Sequence, residues 1–422
     1  MRIVHLTQTT TREIAGGLEY HIAYLTDALK ALGHETIVVR TSDLPPMGNG
    51  TNGAGRHAGV SHGGVTLLRR LARSARRFRV EGYLDTLGTL TQRLGQNRRV
   101  SKVVSYIESL KPDIVHQHSY LDGLALNHCL RWQYPLVFTN HTGAYLHLDR
   151  HAMTRGVQRR MMERFDAVIG PSRELLPSTK NSHYIPNGVD TRLFRPLPDD
   201  EVRRLRSKWD CEGRRVFLCP RRWAPTKGII YLARALSAIK PETRERSVFL
   251  FAGNETPGYQ RYQTMVAMAL QEASGCDVRA LGNLRHDDMV EVLNIADACV
   301  VPSLMEATSL TCLESMACGT PVLGSKTGGL LELIEDGGNG WFIPMKDEKA
   351  LANKMDEIAS LGGDQRARFR ERALHSVEER FTWKVAASAT EEVYRTVLQD
   401  WLVRRRAEWR HQPFGGAFLN LL

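Results

Sequence analysis

The chain has no pair of cysteines at C-x-x-C spacing. Its seven cysteines (Cys129, Cys211, Cys219, Cys276, Cys299, Cys312, Cys318) show no metal-ligand pattern either. Several, such as Cys219 and Cys299, sit in apolar strand-like contexts, so they read as reduced packing residues of a cytosolic protein. No apolar run approaches the roughly 20 residues of a membrane-spanning helix. The first residues, MRIVHLTQ, enter a strand pattern directly, without an apolar signal region or cleavage site. A cytoplasmic protein is therefore expected. Asn-x-Thr triplets at Asn49, Asn140 and Asn254 carry no weight without such a signal. No recognisable RNA- or DNA-binding module is present, so no nucleic-acid partner is expected.

What is present is ordinary for a globular protein: 42% hydrophobic and 24% charged residues. The 422 residues suit two to three domains. The net charge of +11 is unusual, and nucleic acid, an anionic membrane or an anionic substrate would each match it. The positive charge clusters at residues 69–79, 155–164, 203–208 and 404–410. The last two clusters read as solvated surface.

A strand over 2–6, the pair Gly16-Gly17, a helix over 18–32 and a strand over 35–39 open the chain. Ile22, Leu25, Leu29 and Leu32 share one face of that helix. A strand, a glycine pair and a helix form a phosphate-approach geometry, although a plain tight turn explains the glycines equally well. Residues 45–64 read as a flexible loop. They contain Gly48-x-Gly50-x-x-Gly53, but no strand leads directly in and no helix opens behind, so the dinucleotide fingerprint is rejected. Residues 65–80 form a basic amphipathic segment, with Leu67, Leu68, Leu71, Ala75 and Phe78 on one face. It suits an anionic membrane surface or an anionic acceptor, and equally a core-facing helix with a charged outer side.

Strands follow at 113–116, 136–140 and 167–170. His118 and His141 stand just past the first two, where open α/β sheets place their ligands. A turn over 184–190 and a proline-bearing hinge linker over 192–200 close the first half. The second half restarts the pattern with strands at 216–219, 248–252, 278–281, 299–301, 321–323 and 340–343. Between the first two lies the loop Arg221-Arg222-Trp223-Ala224-Pro225-Thr226-Lys227-Gly228. Residues 347–406 read as helical, with an amphipathic helix opened by Phe381-Thr382-Trp383. The tail over 404–422, basic and then apolar, carries no readable element. The alternation in both halves predicts an α/β protein of two doubly wound domains facing a cleft.

Residues 301–343 organise the rest. Glu306 and Glu314 are separated by seven residues, with Pro302-Ser303 before the first and Ala317-Cys318-Gly319-Thr320-Pro321 after the second. Residues 310–317 read as a short helix, placing Glu306 in the loop before it and Glu314 on its body. The N–H groups near Ser309 and Leu310 suit a phosphate. Carboxylates beside an anion site are better suited to sugar hydroxyls. A surface helix with two solvated glutamates is the plain alternative.

This stretch resembles the E-x7-E segment of the retaining glycosyltransferases of family 4, the glycosyl transferases group 1. These have the GT-B fold: two Rossmann-like domains about a central cleft, the C-terminal helix crossing back to the first. The A-x-G-x-P-V run from Ala317 and the GG-x-x-E-x-I run from Gly328 extend the match. Arg222 and Lys227 match the diphosphate-binding cations of the family's R-x-x-x-x-K-G loop, with Arg221 where the family has glycine. Gly16 and Gly17 match the glycine-rich loop facing the donor diphosphate. The segment Thr139-Asn140-His141-Thr142 resembles the one carrying the histidine near the transferred sugar, and His118 matches a second position. Gly282-Asn283-Leu284 resembles the segment that wraps the base, and Gly253 joins the donor-binding set.

The resemblance implies a metal-independent, retaining transfer from a nucleotide diphosphate sugar, most commonly of UDP, to a hydroxyl of a glycan, lipid carrier or small metabolite. Arg222, Lys227, Ser309, Leu310 and Gly17 would hold the diphosphate, Glu306 the sugar, Glu314 the ribose, and His141 the anomeric region. No D-x-D metal signature occurs. Residues 1–190, completed by a helix from about 384 on, would form the acceptor domain and 191–383 the donor domain. No resident cofactor is expected; peripheral contact with an anionic membrane is. A nucleotide-sugar epimerase or a phosphorylase on the same scaffold is one rival. A non-enzymatic binder of membrane or nucleic acid, resting on the charge, is another.

Overall fold

The computed structural model describes residues 1–7, 17–41, 97–118, 130–131, 133–141, 152–253 and 258–410. Gly16, the loop over 45–64, the basic segment over 65–80 and the tail beyond 410 lie outside the described residues.

Two parallel sheets of six strands make up the framework. The first holds β1 (Arg2–Thr7), β2 (Glu35–Arg40), β3 (Ile114–Gln117), β4 (Leu136–Thr139), β5 (Ala167–Gly170) and β6 (Ser182–Tyr184), in the order β2-β1-β3-β4-β5-β6. The second holds β7 (Arg215–Pro220), β8 (Ser247–Ala252), β9 (Asp277–Gly282), β10 (Ala298–Val301), β11 (Val322–Ser325) and β12 (Gly340–Ile343), in the order β12-β11-β10-β7-β8-β9. β3, β4, β5, β8 and β10 are buried along their whole length, as strands covered by helices on both faces must be. Their short, β-branched and aromatic runs made them visible in the sequence.

The strand order fixes where ligands go. In the first sheet the chain leaves β1 toward β2 and returns on the other side to β3, with Ile3 opposite Ile114 and Leu6 opposite Gln117. In the second it does the same at β7 and β10, with Phe217 opposite Ala298. Each reversal opens a crevice beyond the carboxyl ends of the two strands. Arg221 and Pro302 lead away from the second crevice. His118 leads away from the first.

The helix Gly17–Ala31 buries His21, Ile22, Leu25, Thr26 and Leu29 against the first sheet. The last helix, Trp383–Arg410, crosses back to that sheet. Trp383, Ala387, Tyr394 and Val397 share its core cluster with Ile3, Leu25, Leu29 and Ile114. The outward and return passages of the chain pair where they cross. Val189 bridges Thr382, and its N–H donates to the Phe381 carbonyl at 2.8 Å.

Two sequence assignments change. The linker marked over 192–200 already contains the start of a helix, Asp199–Lys208, which carries the basic cluster over 203–208. Asp199, Asp200 and Glu201 sit at its positive end and Arg206 and Lys208 at its negative end, a charge order that favours a helix. The turn over 184–190 is preceded by β6, a three-residue, half-buried strand too short for a periodicity to show. Helices Asn97–Leu110, Ala152–Met162 and Gln260–Glu272 fill connections for which the sequence suggested no element.

Candidate active site

The second crevice is assembled by two close backbone approaches. Gly228, at the end of the β7 loop, has φ 66°, and a Cβ there would lie 1.9 Å from the Pro302 carbonyl oxygen. Glycine therefore lets the two loops touch. The Leu304 N–H then donates to the Thr226 carbonyl at 2.8 Å. On the far side, the Gly329 N–H donates to the Glu306 carbonyl at 2.8 Å, and a Cβ on Gly329 would stand 2.1 Å from the Ala307 carbonyl oxygen. The GG-x-x-E-x-I run thus seats the Glu306 loop.

Inside sits a buried charge cluster. Glu306 Oε2 accepts hydrogen bonds from Lys227 Nζ at 2.9 Å, Ser303 Oγ at 3.0 Å and Arg221 Nη2. The Arg221 guanidinium also reaches Ser303 Oγ at 3.3 Å and Ser309 Oγ at 3.4 Å. Arg221 and Glu306 are only 7% and 6% exposed. Burial alone would raise the Glu306 carboxyl, but the Arg221 and Lys227 charges hold it below its usual value. Burial, with the Arg221 charge beside it, lowers Lys227 to about 8, against the pull of Glu306. Two cations share one carboxylate, so the cluster carries an excess positive charge.

The placement of two predicted residues adds detail to the sequence reading. Arg222 is exposed and its side chain makes no hydrogen bond or ion pair among the described residues. Arg221, standing where the family has glycine, is the arginine that joins the cluster. Glu306 Oε2 already takes three donors, while no contact is made by Oε1 among the described residues. The sequence signal for Arg221 was present, a large cation in a small-residue position, but nothing in it showed two serines placed to receive the guanidinium.

The helix Leu310–Ala317 begins where expected. Ser309 is its N-cap, and its Oγ accepts the Cys312 N–H at 3.2 Å. That satisfies one orphan donor and leaves the N–H groups of Leu310 and Thr311 at the positive end. Gly17 opens the first helix and faces Leu310: a Cβ on Gly17 would be 3.8 Å from Leu310 Cδ1. Two helix N-termini therefore meet at this crevice, beside the excess cation. Gly253 links the ends of β8 and β9 by donating its N–H to the Gly282 carbonyl at 2.6 Å. Asn283 is exposed and Leu284 packs on the core of the second sheet.

Glu314 is half-buried on the helix body, in a crevice with Tyr20, Tyr24, Asp190, His286 and Trp383. Burial pushes its carboxyl up to about 7, with Arg221 opposing.

In the first crevice, neighbouring strands bring His118 and His141 together, with His118 Nδ1 3.2 Å from His141 Nε2. Three more histidines join them that the sequence reading missed. His5 Nδ1 lies 3.0 Å from His118 Nε2. His21 Nδ1 lies 2.8 Å from Asn187 Oδ1. His116 is held between Tyr394 Oη at 2.5 Å and Thr139 Oγ1 at 2.7 Å. The His-x-His run in β3 was the available signal; its pairing with His5 across β1 needed the strand register. Burial lowers all five imidazoles, His5 to about 3 and His21 to about 4, so they are neutral at pH 7. The triplets His5, His116, His118 and His21, His118, His141 have ring nitrogens within 4.8 Å of one another, near enough to share a metal ion.

Comparison with known proteins bears on the family and the fold. The family model of the glycosyl transferases group 1 matches residues 202–376, and that of Glycosyltransferase Family 4 matches residues 15–193. The chain is 28% identical over 413 residues to a D-inositol 3-phosphate glycosyltransferase of Thermobispora bispora, covering 91% of each chain. It is 26% identical over 429 residues to a glycogen synthase of Mycobacterium tuberculosis, covering 98% of this chain and 97% of the other. Among solved structures, Anabaena HepE in complex with UDP and glucose has a TM-score of 0.68 at 18% identity, over 94% of this chain and 100% of the other. Sucrose-phosphate synthase from Thermosynechococcus elongatus has a TM-score of 0.68 at 21% identity, over 95% and 100%. The two likenesses of structure concern the fold. Each sheet falls largely within one of the two matched segments, and the chain belongs to the family 4 glycosyltransferases, with the GT-B fold.

Proposed function

We propose that this glycosyltransferase takes its sugar from a UDP-sugar and moves it, with retention and without a metal ion, to a hydroxyl of a glycan or lipid-linked acceptor. The observation that carries the reading is the cluster of Arg221, Lys227 and Glu306 beside two helix N-termini at the second crevice. A departing diphosphate needs preorganised positive charge, and here side chains and helix ends supply it. Lys227 and the exposed Arg222 reach the phosphates, together with the N–H groups at Leu310 and Gly17. Ser309 and Glu306 Oε2 hold Arg221 and Lys227 in place, and Glu306 also accepts hydrogen bonds from hydroxyls of the sugar. Glu314 accepts the ribose hydroxyls, and Gly253, Asn283 and Leu284 line the base. His141, with His118 behind it, meets the sugar near the anomeric carbon. Glycosyl transfer develops oxocarbenium character, and the leaving phosphate oxygen takes the acceptor proton. The complex of Anabaena HepE with UDP and glucose supports UDP as the nucleotide.

Residues 1–190, with the last helix, take the acceptor, and residues 191–383 the donor. Among the described residues no helix is long and apolar enough to cross a membrane. We place the enzyme in the cytoplasm, with the basic segment over 65–80 touching an anionic membrane face. A thermal-shift panel of UDP, GDP, ADP and CMP, with and without EDTA, tests the donor site. The expected result is a shift with UDP that survives EDTA and disappears in Lys227→Ala. No shift with any nucleotide would overturn the reading, and loss of activity in EDTA would overturn metal independence.

A further inference from the structure

The histidine chain in the first crevice has a direction. Two contacts link three rings: His5 Nδ1 to His118 Nε2 at 3.0 Å, and His118 Nδ1 to His141 Nε2 at 3.2 Å. Each contact needs one proton between its two nitrogens. A neutral imidazole carries one proton, so three rings carry three, and two of them are used in the contacts. The third sits at one end of the chain, on His5 Nε2 or on His141 Nδ1.

The two ends differ. His5 is fully buried, and its Nε2 has no hydrogen-bond partner among the described residues. A proton there would be a buried donor without an acceptor, the rarer and costlier of the two unsatisfied states. His141 is the half-exposed member, and its Nδ1 has no hydrogen-bond partner among the described residues. Placing the proton on His141 Nδ1 leaves only a lone pair buried at His5.

We infer that His5 and His118 are positioning residues that hold His141 as its Nδ1–H tautomer, so that His141 offers a hydrogen-bond donor, not a base, to an oxygen of the bound donor sugar. This rests on the reading that His141 faces the transferred sugar. His5 Nδ1–H donates to His118, and His118 Nδ1–H donates to His141 Nε2. Free imidazole offers both tautomers; here the buried end of the chain chooses. The neighbours agree. His116 is held between two hydroxyls, and His21 is turned toward Asn187, so neither competes for the shared protons.

The test reads the tautomer directly. Two-bond proton–nitrogen correlation spectra of the whole chain, labelled with ¹⁵N-histidine and assigned by single substitutions, are recorded without substrate. His5, His118 and His141 are expected as Nδ1–H forms. An Nε2–H pattern at His141 overturns the inference, as does one zinc ion per chain retained through EDTA, because a metal would take the nitrogens used in the contacts. Two substitutions give a functional readout. In His5→Asn the amide N–H can stand where Nδ1–H stood, and in His5→Leu nothing can. His5→Leu is expected to lose about tenfold in kcat with donor KM little changed, the effect of one neutral hydrogen bond, and His5→Asn to recover most of it. Equal kcat in wild type and both variants overturns the inference. If the wild type turns over no nucleotide sugar, the transferase reading fails, and the spectra still decide the tautomer.

Discussion

The opposed shifts of Glu314 and Lys227 predict a narrow pH optimum for donor use. In the roles proposed above, Glu314 must be ionised to accept ribose hydroxyls, and burial places its carboxyl at about 7. Lys227 must be charged to meet a diphosphate, and burial with Arg221 beside it places the ammonium at about 8. The competent form therefore needs a pH above the first value and below the second. At pH 7.5 about 60% of the free enzyme has both groups in the required state, and at pH 6 or pH 9 about 9% does. The expected profile of kcat/KM for the donor is a bell centred near 7.5, falling about sixfold on each side. The assay is initial-rate kinetics with subsaturating donor in a constant-ionic-strength buffer series. The diphosphate of a nucleotide sugar has no proton titrating there, so the acid flank belongs to the protein; the uracil N3–H of a UDP-sugar begins to ionise at the alkaline end, so the alkaline flank is assigned by substitution. Glu314→Gln is expected to flatten the acid flank. Lys227→Arg, charged at every working pH, is expected to flatten the alkaline one. A profile level from pH 6 to 9, or flanks that survive both substitutions, would refute the reasoning.

Two further outcomes follow from the same residues. Arg221→Ala leaves Glu306 buried with one cation fewer, so it is expected to destabilise the fold by about 3 kcal/mol or more, read by denaturant unfolding. Arg222→Ala, at an exposed side chain, should leave unfolding unchanged and weaken UDP binding in calorimetry; the reverse pattern would remove Arg222 from the diphosphate site. The Glu314 carboxyl has a folded value of about 7 against 4.5 unfolded, so the native state holds its proton more tightly. Its contribution is lost as pH rises from 4.5 through 7, a penalty of about 3 kcal/mol at pH 8. Glu314→Gln should accordingly stabilise the unliganded enzyme at pH 8 and have little effect at pH 4.5, as urea unfolding at the two values would show.

Most of the framework was legible because parallel, doubly covered strands write themselves as compact apolar runs. β5, β12 and the helix Leu310–Ala317 fall where the sequence marks them. Elements that escaped had weak or competing patterns: β6 is three residues long, and the helix Asp199–Lys208 hides behind prolines. The site was legible as a set of motifs and not as a set of contacts. The positions of Lys227, Glu306 and Ser309 around one crevice follow from spacing along the chain plus the order of strands. The choice between Arg221 and Arg222 does not, because adjacent residues after a strand end face opposite ways and only the packed loop decides which one goes inside. The histidine chain was invisible for a similar reason. His5 and His118 are far apart in sequence, and their contact exists only through the β1–β3 register.

The charge cluster also explains why such a costly arrangement is kept. Burying Arg221, Lys227 and Glu306 together removes three charges from water, and one carboxylate offsets only part of that. Well-packed apolar residues could fill the same space without the penalty, so stability is not what the cluster serves. Its excess cation is open to a counter-charge, and Lys227 is lowered first by burial and then by the Arg221 charge beside it. A diphosphate entering between the two helix N-termini would supply the missing charge, raise Lys227 back toward its ordinary value and relieve the strain between the two cations. The energy stored by burial then appears as affinity for the donor. Where a buried ion pair would be complete in itself, this incomplete one would, on the proposed reading, make the fold and the ligand depend on each other.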